Sequence, residues 1–306
     1  MVQTAKSVTH EALCRTLSIK ELEERLRLNP ARSVIPLAFR SSAMDANLIS
    51  RVMHSNGLRC PDKTRIAETW QQNYEELGDR LWGFSPSPTA KVLAEAILAS
   101  NICRSERIEI VDWGCGYGRD SLYFLELGFD VIGIDVSSKA IALARAAYKR
   151  RQQNGIPLIG SASFHAGDIS SVFDSRTGQT VRAFFSNRVF HLLSPTDFYD
   201  TVDEAMKCLE QGAFFCVSAR SQDDFNTELM EWIPGKERVR ARYKDPSRKG
   251  QEITFVTKER LLRAVGRDLG EIQFLSAAEP ERIGASDTHL LIMIGQRRDG
   301  ARSQTN

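Results

Sequence analysis

The sequence predicts an α/β fold, a doubly wound and mostly parallel sheet preceded by a helical extension. Three observations predict it. An apolar run, Ile108, Ile110 and Val111, ends on Asp112. Three closely spaced glycines, Gly114, Gly116 and Gly118, then open a helical pattern that stops at Gly128. A second apolar run over 131–134 closes on Asp135. Strand, tight turn, helix, strand, acid is the opening unit of a sheet that binds a nucleoside-bearing ligand at the carboxyl ends of its strands.

The glycines decide which ligand. A dinucleotide fold uses G-x-G-x-x-G, which seats two phosphates on a helix N-terminus. Here the spacing is G-x-G-x-G, followed by Arg119. Asp112 just before the turn would repel a pyrophosphate and attract an ammonium group. S-adenosyl-L-methionine (SAM) carries an ammonium, a sulfonium and a ribose with two free hydroxyls. Asp112 suits its amino-acid end, and Asp135 can accept hydrogen bonds from both hydroxyls. The glycines let the backbone approach the ligand closely.

At these residues the sequence resembles the class I SAM-dependent methyltransferases. The matching positions are Val111-Asp112-x-Gly114-x-Gly116-x-Gly118, Gly133-Ile134-Asp135, Gly167-Asp168-Ile169 and the stretch 186–193, within a likeness covering roughly 62–296. The resemblance implies a Rossmann-like seven-stranded sheet with a terminal antiparallel hairpin. It implies that Gly114, Cys115, Gly116 and Gly118 lie against the cofactor, with Val136 beyond Asp135 and Ser186 at the end of the fourth strand. It also implies that Asp168 accepts the adenine amino group while the Ile169 amide donates to the ring; Asp168 as a helix cap is the alternative. The pattern G-x-G-R-x-S-L-Y at 116–123 also looks like tellurite-resistance-type and thiopurine-type methyltransferases.

Composition sets bounds. With 42% hydrophobic and 26% charged residues, the 306-residue chain has ample material for a sizeable core. A net charge of +2 gives no general attraction to nucleic acid or membranes. No apolar run reaches membrane-span length, and the first residues lack a secretion signal's apolar core. The six cysteines are scattered without a C-x-x-C pair, so they read as free thiols in a reducing cytoplasm. The five histidines are equally dispersed and show no zinc spacing, so no metal is expected.

In chain order, residues 1–61 carry two short amphipathic patterns, the first opened by Ser18-x-x-Glu21. Two such helices cannot make a core alone. They read as a cap, a lid or an element of a homodimer, distinct from a main domain over 62–306. A third helix carries Trp70, Tyr74 and Leu77, and Trp82 and Phe84 follow it. In the family this segment often folds over the cofactor. Tyr74 and Trp82 are therefore candidate faces for the sulfonium or the acceptor; core packing is the alternative. Ser87 and Pro88 open the next helix. After the first unit come a helix capped by Ser137 or Ser138, a strand near 163–165, and a fourth strand over 181–186. A helix over 195–209 and a nearly all-apolar fifth strand, 213–219, follow.

Residues 221–250 read as an insertion, with 225–233 as a short helix. Within it, 236–249 carries seven basic residues. That run is either a solvated, partly mobile loop or a surface that tracks phosphates or grips an acidic substrate. Only Tyr243 interleaves it, so a base-stacking platform is not evident and nucleic acid is disfavoured as a partner. A helix over 258–269 and strands at 271–275 and 289–294 complete the domain.

Methyl transfer from a sulfonium is an in-line displacement. The enzyme must hold the acceptor about 3 Å from the methyl carbon in a site short of water. The exit of the fourth strand, Ser186-Asn187-Arg188-Val189, lacks the paired prolines of adenine-N6 methyltransferases. This argues for a small-molecule acceptor. His191 is the candidate base, if one is used. Arg188 and Arg220, at adjacent strand ends, are candidates to grip an anionic acceptor; pairing with Asp223, Asp224 or Glu279 is the alternative. The competing functions are an RNA or protein methyltransferase docking through 236–249, and a SAM-binding protein that no longer methylates.

Overall fold

The computed structural model describes residues 63–100, 107–169, 180–225, 229–234, 239–244, 251–280 and 287–298. The expectations for residues 1–61 lie outside them, as do Lys236, Arg238, Arg248 and Lys249 of the basic run.

The central sheet contains β1 (Glu109–Trp113), β2 (Asp130–Asp135), β3 (Ala162–Ala166), β4 (Val181–Asn187), β5 (Leu209–Arg220), β9 (Leu269–Pro280) and β10 (Asp287–Arg297). Its order is β3-β2-β1-β4-β5-β10-β9. The first five strands run parallel, while β10 is antiparallel to both β5 and β9. This is the seven-stranded, mostly parallel sheet with a terminal hairpin.

Its strands are apolar at successive positions because both faces are covered. In β4, Ala183 and Phe185 enter one core while Phe184 enters the other. In β5, Phe214 and Cys216 take the first side, Phe215 and Val217 the second. Phe184 and Phe215 are register partners, and their rings stack at 5.3 Å. Helices α2 (Pro88–Ala99) and α3 (Arg119–Glu126) cover the first face. Helices α5 (Pro195–Cys208) and α6 (Lys258–Val265) cover the second. Helix α4 (Ser138–Gln153) packs on β2 and β3, and α1 (Lys63–Leu77) packs on α4.

Side-chain caps start α2, α4, α5 and α6. Ser87 accepts from Ala90 N at 3.0 Å and Ser137 from Ala140 N at 3.1 Å. Such caps satisfy otherwise orphaned amides. Helix α3 instead starts on Gly118 and stops before Gly128, whose φ of 94° lies in the left-handed region.

The helix expected over 225–233 is not what forms. A 3-10 turn, Gln222–Asp224, leads to strand β6 (Met230–Trp232), which joins β7 (Arg240–Tyr243) and β8 (Glu252–Thr254) in a small antiparallel sheet. The cause is an aromatic cluster. Phe225 stacks on Trp232 at 3.9 Å, and both meet Phe255. Met230, Ala241 and Ile253 complete this separate core. Among the described residues no helix is long and apolar enough to cross a membrane.

Candidate functional site

The site lies at the carboxyl ends of the parallel strands. After β1 the chain turns through Gly114 (φ 76°), Gly116 (φ 57°) and Gly118 (φ 83°). L side chains rarely adopt this left-handed backbone. Space also demands glycine. A Cβ on Gly116 would stand 2.5 Å from Tyr74 Oη, and one on Gly114 would stand 2.2 Å from Val189 Cγ2. The turn is pinned to β2, because the amides of Gly114 and Cys115 both donate to Ile134 O, at 2.7 and 3.0 Å.

Asp112 and Asp135 stand on adjacent parallel strands, with Asp112 opposite Gly133 in the register. Asp135 Oδ2 accepts from Gly116 N at 2.9 Å and Oδ1 from Ser137 N at 2.8 Å. Asp112 Oδ2 accepts from Ser121 Oγ at 2.5 Å. Burial, reinforced by the nearby Asp120, pushes the Asp112 carboxyl up to about 8. Burial raises Asp135 less, to about 6, because two amide hydrogen bonds favour its charged form. Burial also holds the Cys115 thiol well above its ordinary range, so it is a poor nucleophile.

Both acids line one cavity, which has about 1090 Å³ of empty space with its open mouth included. Of the residues singled out in the sequence, Tyr74, Trp82, Asp112, Gly114, Cys115 and Gly116 line it. So do Asp135, Val136, Asp168 and Arg188. The others lie behind the wall. Gly118 packs on Ala144 of α4. The Ile169 amide donates to Asp168 Oδ1 at 2.8 Å, and Ser186 Oγ to Trp113 O at 2.9 Å.

His191 and Arg220 are not among the lining residues. His191 is buried in a 3-10 turn, Phe190–Leu192. Burial, then the nearby Arg220 and Arg188, hold its pKa well below the ordinary value. Its Nδ1 is buried and has no hydrogen-bond partner among the described residues. Arg220 Nε donates to Asp224 Oδ2 at 2.5 Å, and Arg220 Nη1 donates to the Tyr243 hydroxyl. The two arginines therefore do not converge: Arg188 faces the cavity and Arg220 ties β5 to the small sheet.

Further lining residues were not singled out as site residues in the sequence. Trp70 joins Trp82 and Tyr74 in an aromatic cover, with ring centroids 6.4 and 6.0 Å away. Tyr117, Arg119 and Asp120 line the turn side, and Asn187, Leu192 and Thr201 the side beyond β4. The cavity follows the strand order: Asp168 after β3, Asp135 on β2, Asp112 on β1, then Asn187 and Arg188 at the exit of β4. Three strand spacings make this row about 14 Å long.

Residues 110–212 match the model of a family described as a methyltransferase domain. The fold is shared with solved structures of low identity. Magnesium protoporphyrin IX methyltransferase from Synechocystis PCC 6803, solved with bound SAH, is 13% identical with a TM-score of 0.53, covering 77% of this chain and 100% of that one. The PH0226 protein from Pyrococcus horikoshii OT3 is 16% identical with a TM-score of 0.52, covering 74% and 99%. A protein solved in work on conversion of a disulfide bond into a thioacetal group during echinomycin biosynthesis is 18% identical, with a TM-score of 0.53 and coverage of 76% and 93%. No curated protein sequence matches the chain significantly.

Proposed function

We propose that this chain is a class I SAM-dependent methyltransferase and that it methylates a small molecule with an apolar body, a reading supported by the methyltransferase-domain match over residues 110–212. The observation that carries this is one cavity with two unlike ends. One end presents Asp112, Asp135 and Asp168. The other is walled by Val189, Leu192 and Leu193 beneath Trp70 and Trp82, with Arg188 among them.

The residues fit the cofactor on the chemistry of their donor set. When bound, SAM supplies a methyl group activated on a sulfonium. Asp112 takes the ammonium end in this reading. Asp135 accepts from the ribose hydroxyls with the lone pairs its two amide bonds leave open. Asp168 takes the adenine amino group, over the partly exposed apolar face of Val136. The Ile169 amide reaches the ring only by leaving the Asp168 carboxylate. The aromatic cover excludes water, and ring faces suit a cation.

On the acceptor side Arg188 orients the substrate. An acceptor carrying a carboxylate would compete with Glu279, which lies 3.8 Å from Arg188 Nη1. Arg220 supports that end from behind through Asp224. His191 is the proposed proton acceptor through its Nδ1, and since it does not line the cavity it serves only an acceptor that reaches past that wall. Its low basicity restricts it to acceptors that give up a proton readily. The described part of the basic run does not favour RNA or protein docking, since Arg240 and Arg242 both pair with Glu252, at 2.5 and 2.7 Å.

The test is calorimetric titration with SAM and NADH, followed by a screen of apolar small-molecule acceptors for the demethylated cofactor. Saturable SAM binding and turnover on such an acceptor support the proposal. NADH binding in place of SAM, or turnover on RNA alone, overturns it.

A further inference from the structure

Glu279 lies near the end of the outermost strand, and its side chain is only 4% exposed. Its register partner across the hairpin is Thr288, which is fully buried. Directly opposed residues point to the same face, and here both meet Arg188. Thr288 Oγ1 is 3.3 Å from Arg188 Nη2, and Glu279 Oε2 is 3.8 Å from Arg188 Nη1. The other carboxylate oxygen, Oε1, accepts from Arg119 Nη2 at 2.7 Å. One buried carboxylate thus touches two guanidinium groups from different strand exits, one following β1 and the other β4.

The two arginines converge on a third segment. Arg119 Nη1 donates to Trp82 O at 3.3 Å. The Arg188 guanidinium carbon lies 4.2 Å from the centroid of the Trp82 ring. The Tyr117 hydroxyl donates to the next carbonyl, Gly83 O. Trp82 lines the cavity, and so do both arginines. Arg188 also holds a φ of 64°, a costly conformation for a residue with a side chain. That strain directs a cation into the cavity wall, where it meets an aromatic face.

Charge explains the third member. Two buried guanidinium groups held close together repel, and each costs desolvation unless paired. Arg119 has Asp120 at 3.4 Å, but Asp120 Oδ1 also accepts from Ser87 N at 2.7 Å. Among the described residues, Glu279 meets both arginines.

We propose that Glu279 is a positioning residue that holds Arg119 and Arg188 as a clasp on Trp82, fixing the aromatic cover over the cavity. Its effect on ligands rests on the reading of that cavity as the cofactor and acceptor site.

The test compares wild type, Glu279→Gln and Glu279→Asp. Acrylamide quenching of Trp82 is taken as the difference between each protein and its Trp82→Phe counterpart, and SAM release is timed by stopped flow. In Glu279→Gln the Trp82 quenching constant should rise at least about twofold and SAM release should quicken about tenfold, the loss of roughly one decade of affinity. Glu279→Asp, which keeps the charge, should recover part of both. Unchanged Trp82 accessibility in a folded Glu279→Gln protein overturns the clasp, even if its melting temperature falls. If that variant does not fold, Arg188→Lys keeps the charge and loses the planar stack; it should expose Trp82, and an unchanged Trp82 there overturns the proposal. Should wild type fail to bind SAM, the reading of the cavity falls, while the Trp82 comparison still decides the clasp.

Discussion

Gly116 donates its amide hydrogen to Asp135 Oδ2 at 2.9 Å, so the glycine turn and the acid of the next strand form one unit. Asp135→Ala removes the acceptor for that amide as well as the proposed ribose contacts. Hydrogen bonds to a charged group contribute about 1.5–3 kcal/mol each. SAM affinity should fall about 100-fold or more, as read by calorimetry. A fall under about threefold would contradict the assignment.

SAM binding should depend on pH. Asp112, pushed up to about 8 by burial, is largely protonated at pH 6 to 7 and must ionise to hold an ammonium. Affinity should rise about tenfold between pH 6 and 7 and about fivefold between 7 and 8, with about one proton released on binding at pH 6 to 7. Calorimetry in buffers of different ionisation enthalpy measures that proton, and Asp112→Asn should abolish it.

The same group sets a stability trend. Its folded pKa is raised above the ordinary 3.8, so the folded state binds the extra proton between about pH 4 and 8. The Asp112 contribution to stability is present at low pH and lost as pH rises through about 8. Ligand-free protein should therefore lose less stability between pH 6 and 9 when Asp112 is replaced by Asn, a comparison made by thermal melts.

Gly116→Ala places a Cβ in a left-handed backbone, a cost of about 1–2 kcal/mol, and against Tyr74 Oη as well. The melting temperature should drop by a few degrees. Adding Tyr74→Phe removes the obstructing oxygen but not the backbone strain. The double variant should recover only part of the loss.

Arg220→Met leaves Asp224 buried without its arginine. Breaking such a pair costs about 3–5 kcal/mol. Denaturant unfolding should show that loss. SAM affinity should change far less than in Asp135→Ala, because Arg220 does not line the cavity.

These residues also separate what was legible in the sequence from what was not. The turn and its two acids lie within about twenty-five residues and obey local rules of strand length, glycine conformation and charge. Arg188 and Arg220 were placed correctly at strand ends, but a strand end does not say where a long side chain goes. Asp224, four residues after Arg220, draws that guanidinium away from the cavity. The stretch 225–233 was too short for periodicity to distinguish helix from strand. Contact with Phe255, some twenty residues downstream, decided it. Glu279 was named as an alternative partner of the arginines, and it does pair with Arg188; its bond to Arg119, 160 positions away by residue number, gave no local signal.

The row of acids along β3, β2 and β1 and the apolar wall beyond β4 divide the labour between separate stretches of chain. Mutation can therefore reshape one chamber while leaving the other intact. In the proposed reading, a new acceptor is adopted by rewriting the loop after β4, with the donor's berth inherited unchanged.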